Sequence, residues 1–235
     1  MRYPSTDTNR NRARARWTYF HFLGVDIEKL APRTTDPIAL ADTNNPTLKN
    51  PACTVCHESL DPVAGAYQSF GDRGLYLDQY GAMDSLPDTY KHPEWYGGEH
   101  GSSGYQEGDT WYRDMRAPGF NGEIAEGQGD SLQWLGYRIS RDPRFAAATV
   151  RFWWPAIFGA DPLTAPEDLS VPNYEQRVNA FNSQDALIQE LADKFEASGF
   201  NAKSLFADMV LSKWYRHSEV TSAALAQARI VELAT

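Results

Sequence analysis

The sequence predicts a mainly α protein in two parts: a cysteine-bearing domain with long irregular loops over residues 1–130, and a helical bundle over residues 131–235. Three observations carry that expectation. Both cysteines of the chain fall in one run, Cys53-Thr54-Val55-Cys56-His57. Glycine-rich stretches such as Gly97-Gly98-Glu99-His100-Gly101-Ser102-Ser103-Gly104 punctuate residues 71–130 and mark loops rather than elements. From residue 131 onward apolar positions recur at helical spacing, with caps and glycine stops between the runs.

Taken in order, residues 8–23 read as a helix, because Ala13, Trp17 and Phe20 fall at i, i+4 and i+7 and Gly24 stands where helices end. Its arginines are expected on the solvated face, or as a docking patch for an acidic partner. Pro32, Pro37, Pro46 and Pro51 make residues 31–51 an extended connector. After His57 a short helix is expected to run to about Leu60, where Asp61-Pro62 breaks it, with Asp61 serving only to turn the chain. Between residues 71 and 130 the aromatics Tyr90, Trp95, Tyr96, Tyr105, Trp111 and Tyr112 are too many for a solvating linker. In the bundle, Ser131 is expected to cap 132–140, and Asp142-Pro143 to open a helix ending at Gly159. Ser183 is expected to open a third helix, with Leu187, Leu191 and Phe195 one turn apart and Gly199 after it. Asn201 caps 202–212, and 219–233 is Ala-rich and helical. Trp134, Phe152, Trp153, Trp154 and Trp214 are assigned to the core and to contact with the first part.

The chemistry concentrates in C-x-x-C-H, the spacing of a c-type haem attachment site. Two thiols three positions apart can reach the two vinyl groups of one haem and become thioethers, and the next residue offers an imidazole to the iron. Cys53, Cys56 and His57 are thus the expected cofactor-binding residues, haem c the covalent cofactor, and His57 an iron ligand. A redox dithiol would need a βαβ setting, which the flanking residues do not offer; a structural zinc site would need a second pair of ligands. The first part is therefore expected to be a c-type cytochrome-like haem domain, with the loops of 71–130 as a lid over the porphyrin and the connector of 31–51 along its edge. No G-x-S-x-G or H-E-x-x-H run competes.

The run from Asn50 to Phe70, with Cys53, Cys56, His57, Asp61, Pro62 and Phe70 in place, resembles the CxxCH-x-x-x-D-P-x-x-x-x-x-x-x-F segment of the planctomycete-type cytochrome domain family, whose members are mostly of uncharacterised function. Arg14 to Gly24 looks like the helix preceding that segment. Phe120-Asn121-Gly122, Asp142-Pro143-Arg144-Phe145, Trp153 to Gly159, Gly199 to Leu205 and Ser212 look like its C-terminal companion domain. The resemblance covers most of the chain. It departs in two places: relatives often carry Met where Leu60 stands and a His near Thr47, and neither side chain here binds iron. The remaining donors are His21, His92, His100, His217, Met83, Met115 and Met209. Met115 ranks first as the second iron ligand, because Asp114-Met115-Arg116-Ala117-Pro118-Gly119 resembles the loop methionine of small class I cytochromes c; His92 or His100 comes next, then Met83 or no protein ligand.

Length and a 42% apolar content allow one large domain or two small ones. No apolar run of membrane-spanning length occurs, and a net charge of −9 argues against nucleic acid as a partner. Residues 1–33 are net +4, which leaves −13 for the rest. Haem attachment at such a motif takes place outside the cytoplasm, so a periplasmic or other extracytoplasmic location is expected. The stretch after Arg16 is too short and broken for a signal, so the chain is expected to be a processed or partial form of a longer precursor. The expected function is a mono-haem module passing single electrons between redox partner proteins, a carrier more than a catalyst. A haem enzyme of the peroxidase or oxygen-activating kind, and a structural or docking subunit of a larger redox complex, stay open. Met115→Ala should abolish the weak far-red thioether-to-iron absorption of the ferric protein and open the iron to carbon monoxide. A band absent from the start, with carbon monoxide access opened instead by His92→Ala or His100→Ala, would move the ligand to histidine.

Overall fold

The computed structural model describes residues 11–42, 46–67, 70, 116, 118–125 and 130–216. The lid aromatics, the candidate ligands Met83, His92, His100, Met115 and His217, and the helix expected over 219–233 lie outside the described residues. What is described is mainly helical and falls into two compact units, Met1–Asp142 and Pro143–Thr235.

The first unit opens with α1, Arg12–Leu23, stopped by Gly24 in the left-handed region (φ 68°), where the Val25 amide can turn back to the Tyr19 carbonyl at 3.1 Å. The face it buries is Ala15, Thr18, Tyr19 and Leu23, together with Arg14. Trp17 and Phe20 are therefore not the core stripe that the apolar spacing suggests, and Phe20 is 44% exposed. Nor do the arginines form a wet face, since Arg14 is buried and Arg12 and Arg16 are ion-paired. A hydrophobicity pattern cannot anticipate this, because the helix packs on an element that carries a buried charge.

A 3-10 turn, Ile27–Lys29, follows under an Asp26 cap that accepts from the Glu28 amide at 3.2 Å. The connector is not extended. It holds two short helices, α2 at Pro37–Ala41 and α3 at Pro46–Lys49, each opening on a proline where the missing N–H costs nothing. Asn50 then caps α4, Pro51–Gly65, by accepting from the Ala52 amide at 3.0 Å. This helix runs on through Asp61-Pro62 instead of breaking there. An internal proline costs roughly 3 kcal/mol, so something must hold residues 57–62 helical. The bonds made by the Asp61 carboxylate, described below, do so.

A two-residue Asn121-Gly122 turn with both φ positive (49° and 84°) joins β1, Gly119–Phe120, to β2, Glu123–Ile124. Then comes α5, Ser131–Ile139, which buries Leu135 and Ile139. Ser131 does not cap it; its hydroxyl donates to the Ala66 carbonyl at 3.3 Å. That bond and the packing of α5 on β1 assign the helix to the first unit, whereas its periodicity grouped it with the bundle.

The second unit packs α6 (Phe145–Phe158), α7 (Tyr174–Ala197) and α8 (Ala202–Leu211), with a short α9 (Lys213–Arg216). Its core gathers Val150, Trp154, Ile188, Leu191, Phe195, Leu205 and Met209, so Met209 is a core residue. Asn201 caps α8 through Lys203 and Ser204, as its position predicts. Two starts differ from the sequence signals. Asp142 accepts from the Asn121 amide group at 3.4 Å, and α6 begins at Phe145 behind Arg144. Ser183 lies inside α7 and donates to the Asn179 carbonyl at 2.8 Å. Trp154 fills the core, but Phe152 and Trp153 are 48% and 38% exposed.

Two glycines should respond oppositely to alanine. A Cβ on Gly65 would sit 2.8 Å from the Arg116 carbonyl oxygen, whereas one on Gly136 in α5 meets nothing within 4 Å. Urea unfolding should show Gly65→Ala destabilised by about 1–3 kcal/mol and Gly136→Ala stabilised by about 1 kcal/mol.

Candidate functional site

On α4, Cys53 and Cys56 stand three apart and His57 four beyond Cys53, so all three can share one side of the helix. They do: Cys53, Cys56 and His57 line a single cavity of about 600 Å³, within the size range of ligand sites. Its other walls come from Arg12, Ala13, Arg16 and Trp17 of α1, from the segment 27–34, and from Leu40 and Leu60. Ala31, Pro32, Arg33, Thr34 and Leu40 of the connector thus line the cavity, by a backbone path that is partly helical rather than extended.

His57 is oriented from behind. Its Nδ1 lies 3.0 Å from Oδ1 of Asp61, one turn further along α4. Asp61 has no exposed surface. Arg12 reaches it with two donors, Nε to Oδ1 at 2.7 Å and Nη2 to Oδ2 at 3.0 Å, and the same Nη2 lies 3.5 Å from Thr47 Oγ1. Burial by itself would push this carboxyl up, but the Arg12 charge and the bonds from His57 and Arg12 outweigh it and hold the group below the usual carboxylate range. The Nδ1–H of His57 is thereby assigned to Asp61, which leaves Nε2 for coordination.

The thiols are not joined in a disulfide. Cys56 lies 3.8 Å from the Ile27 carbonyl oxygen, and burial, with the Glu28 charge adding to it, raises its pKa. A raised pKa makes it a poor attacking thiolate at neutral pH. Around the cavity mouth Arg16 grips Asp26 with two bonds of 2.8 Å and reaches Glu28 at 2.9 Å, and Arg33 reaches Glu28 at 2.9 Å. The Arg16 bond holds the Asp26 carboxyl low.

Two thiols and an imidazole on one cavity wall, with the far imidazole nitrogen already engaged, fit the donor set that a covalently held haem requires. Trp17, Ile27, Leu40 and Leu60 add apolar surface to the same cavity. His57 is the only His or Met among the described residues that line the cavity. His21, a further candidate donor, is stacked on Trp17 at 5.3 Å between ring centroids and does not line it. The place of Met115 lies outside the described residues. Among the described residues no three His, Cys, Asp or Glu side chains converge to hold a bare metal ion, and no helix is long and apolar enough to cross a membrane.

Sequence reasoning missed Asp61 and Arg12. The i, i+4 spacing of His57 and Asp61 was a usable signal; the partner 49 residues earlier was not. No family model, curated protein or solved structure matches the chain.

Removing one partner of a buried ion pair strands the other charge, at about 3–5 kcal/mol. Arg12→Ala should therefore lose about that much stability in urea unfolding, and Arg12→Ala with Asp61→Ala should cost clearly less than the two single changes added. Additive costs would show that the pair is not coupled.

Proposed function

We propose that this protein is a mono-haem c-type cytochrome module that passes single electrons between redox partners outside the cytoplasmic membrane. The observation that carries the reading is that Cys53, Cys56 and His57 line one cavity while a buried carboxylate occupies the Nδ1 of His57. The resemblance of residues 50–70 to the planctomycete-type cytochrome domain family supports it further.

In this reading Cys53 and Cys56 would hold the haem as two thioethers, each S–H adding across one vinyl group with sulfur and hydrogen both retained in the product. Nothing is oxidised or reduced overall. His57 Nε2 would bind the iron, Asp61 holds the imidazole ring in place, and the side chains of Trp17, Ile27, Leu40 and Leu60 would exclude water from the porphyrin. When bound, the haem supplies one-electron chemistry that no side chain here offers.

The test is covalency. After acid–acetone extraction of denatured, haem-loaded protein, the haem should stay with the polypeptide, and Cys53→Ala with Cys56→Ala should release it. Haem recovered wholly in the organic phase from the unaltered protein would end the cytochrome reading.

A further inference from the structure

The His57–Asp61–Arg12 array does more than the cytochrome reading asks of it. A proximal histidine needs only some acceptor for its Nδ1–H, and a backbone carbonyl would serve. Here the acceptor is a carboxylate with no exposed surface, 3.0 Å away, on the same helix. A hydrogen bond to an anion in a low-dielectric setting draws the Nδ1 proton away from the ring and makes Nε2 a stronger donor. A stronger donor stabilises ferric over ferrous iron. Arg12 works in the opposite direction: its guanidinium, 13% exposed and bonded to both Asp61 oxygens, spreads the carboxylate charge and limits that pull. Arg12 lines the cavity directly, and Asp61 reaches it only through His57, whose ring lines it.

We infer that Asp61 and Arg12 form an opposed pair of positioning residues that sets the reduction potential of the iron through His57, Asp61 lowering it and Arg12 raising it. The inference rests on the cytochrome reading. It also gives the buried charge a role beyond holding α4 helical through Pro62, because a buried ion pair is often no more stable than its uncharged replacement and uncharged hydrogen-bonding side chains at positions 12 and 61 could pin the same crossing.

The experiment is equilibrium redox titration of haem-loaded full-length protein with Asp61→Asn and Arg12→Gln, each first checked for covalent haem by acid–acetone extraction. The potential should rise in Asp61→Asn and fall in Arg12→Gln. Shifts of the same sign, as general loosening of the pocket would give, overturn the inference, and so does no shift. Should either variant fail to fold, the unaltered protein decides the question: the iron–histidine stretching frequency of its ferrous form, read by resonance Raman after photolysis of carbon monoxide, should lie above that of ferrous haem with an imidazole lacking a strong Nδ1 acceptor. A frequency matching that reference overturns the inference. Retained haem with unmoved potentials leaves the cytochrome reading standing without the tuning pair, whereas haem released from the unaltered protein ends both.

Discussion

The ion pair between Arg12 and Asp61 is the constraint from which the first unit takes its form. A carboxylate with no exposed surface loses several kcal/mol of hydration unless its charge is answered in place. Arg12 answers it bidentately, and His57 takes one more lone pair. This fixes which side of α1 meets α4 and at what height, since Arg12 must arrive level with Asp61. The rest of the α1 face follows from that register. Tyr19 meets the Phe120 ring at 6.0 Å and sends its hydroxyl to the Ser59 carbonyl at 3.3 Å, while Thr18 bonds the Tyr67 hydroxyl at 2.8 Å. The arginine heads outside this crossing pair with Asp26 and Glu28, and those bonds, being near solvent, contribute little each. The segment 27–34 owes its place more to buried Ile27 than to them.

The same carboxylate explains how α4 survives Pro62. Residues before proline avoid the helical region, yet Asp61 is pinned from two directions, and the helix continues to Gly65. There the backbone of Arg116 and of Pro118 comes so close that only a glycine fits. Were the helix to end at Leu60, His57 would lose the acceptor one turn below it. Continuity of the helix and orientation of the imidazole therefore have one cause. In the proposed cytochrome this is also why the protein can hold an axial ligand rigidly on a helix whose sequence contains a breaker.

The second unit rests on different physics. Its core is apolar throughout, from Val150 to Met209, and needs no buried charge to define its packing. Specific devices lie at its turns: Gly199 and Phe200 both take positive φ (69° and 61°), and the strain at Phe200 is offset by ring contacts with Phe195 and Phe145 at 5.3 and 5.6 Å. Gln184, buried in mid-helix, accepts from the Leu163 amide at 2.6 Å and so ties the irregular stretch before α7 to that helix.

By itself the sequence determined what is local. Helical class, the Asn201 cap, the stops at Gly24 and Gly159, and the grouping of Cys53, Cys56 and His57 on one helix all follow from spacings of a few residues, where backbone geometry leaves few choices. Tertiary structure decided what depends on a distant partner. Trp17 and Phe20 spell an apolar stripe, but α1 turned Arg12 inward because α4 presents Asp61, and Arg14 is buried with its guanidinium on the Asn11 side chain and over the Phe70 ring. Asp61-Pro62 spells a break, but a guanidinium 49 residues away holds the helix together. Ser131, Asp142 and Ser183 spell caps, and each spends its side chain elsewhere. Periodicity records whether a position is polar; it does not record whether a polar side chain will find its counter-charge in solvent or inside the fold, and that difference is what turned Asp61 from a turn residue into the support of the site.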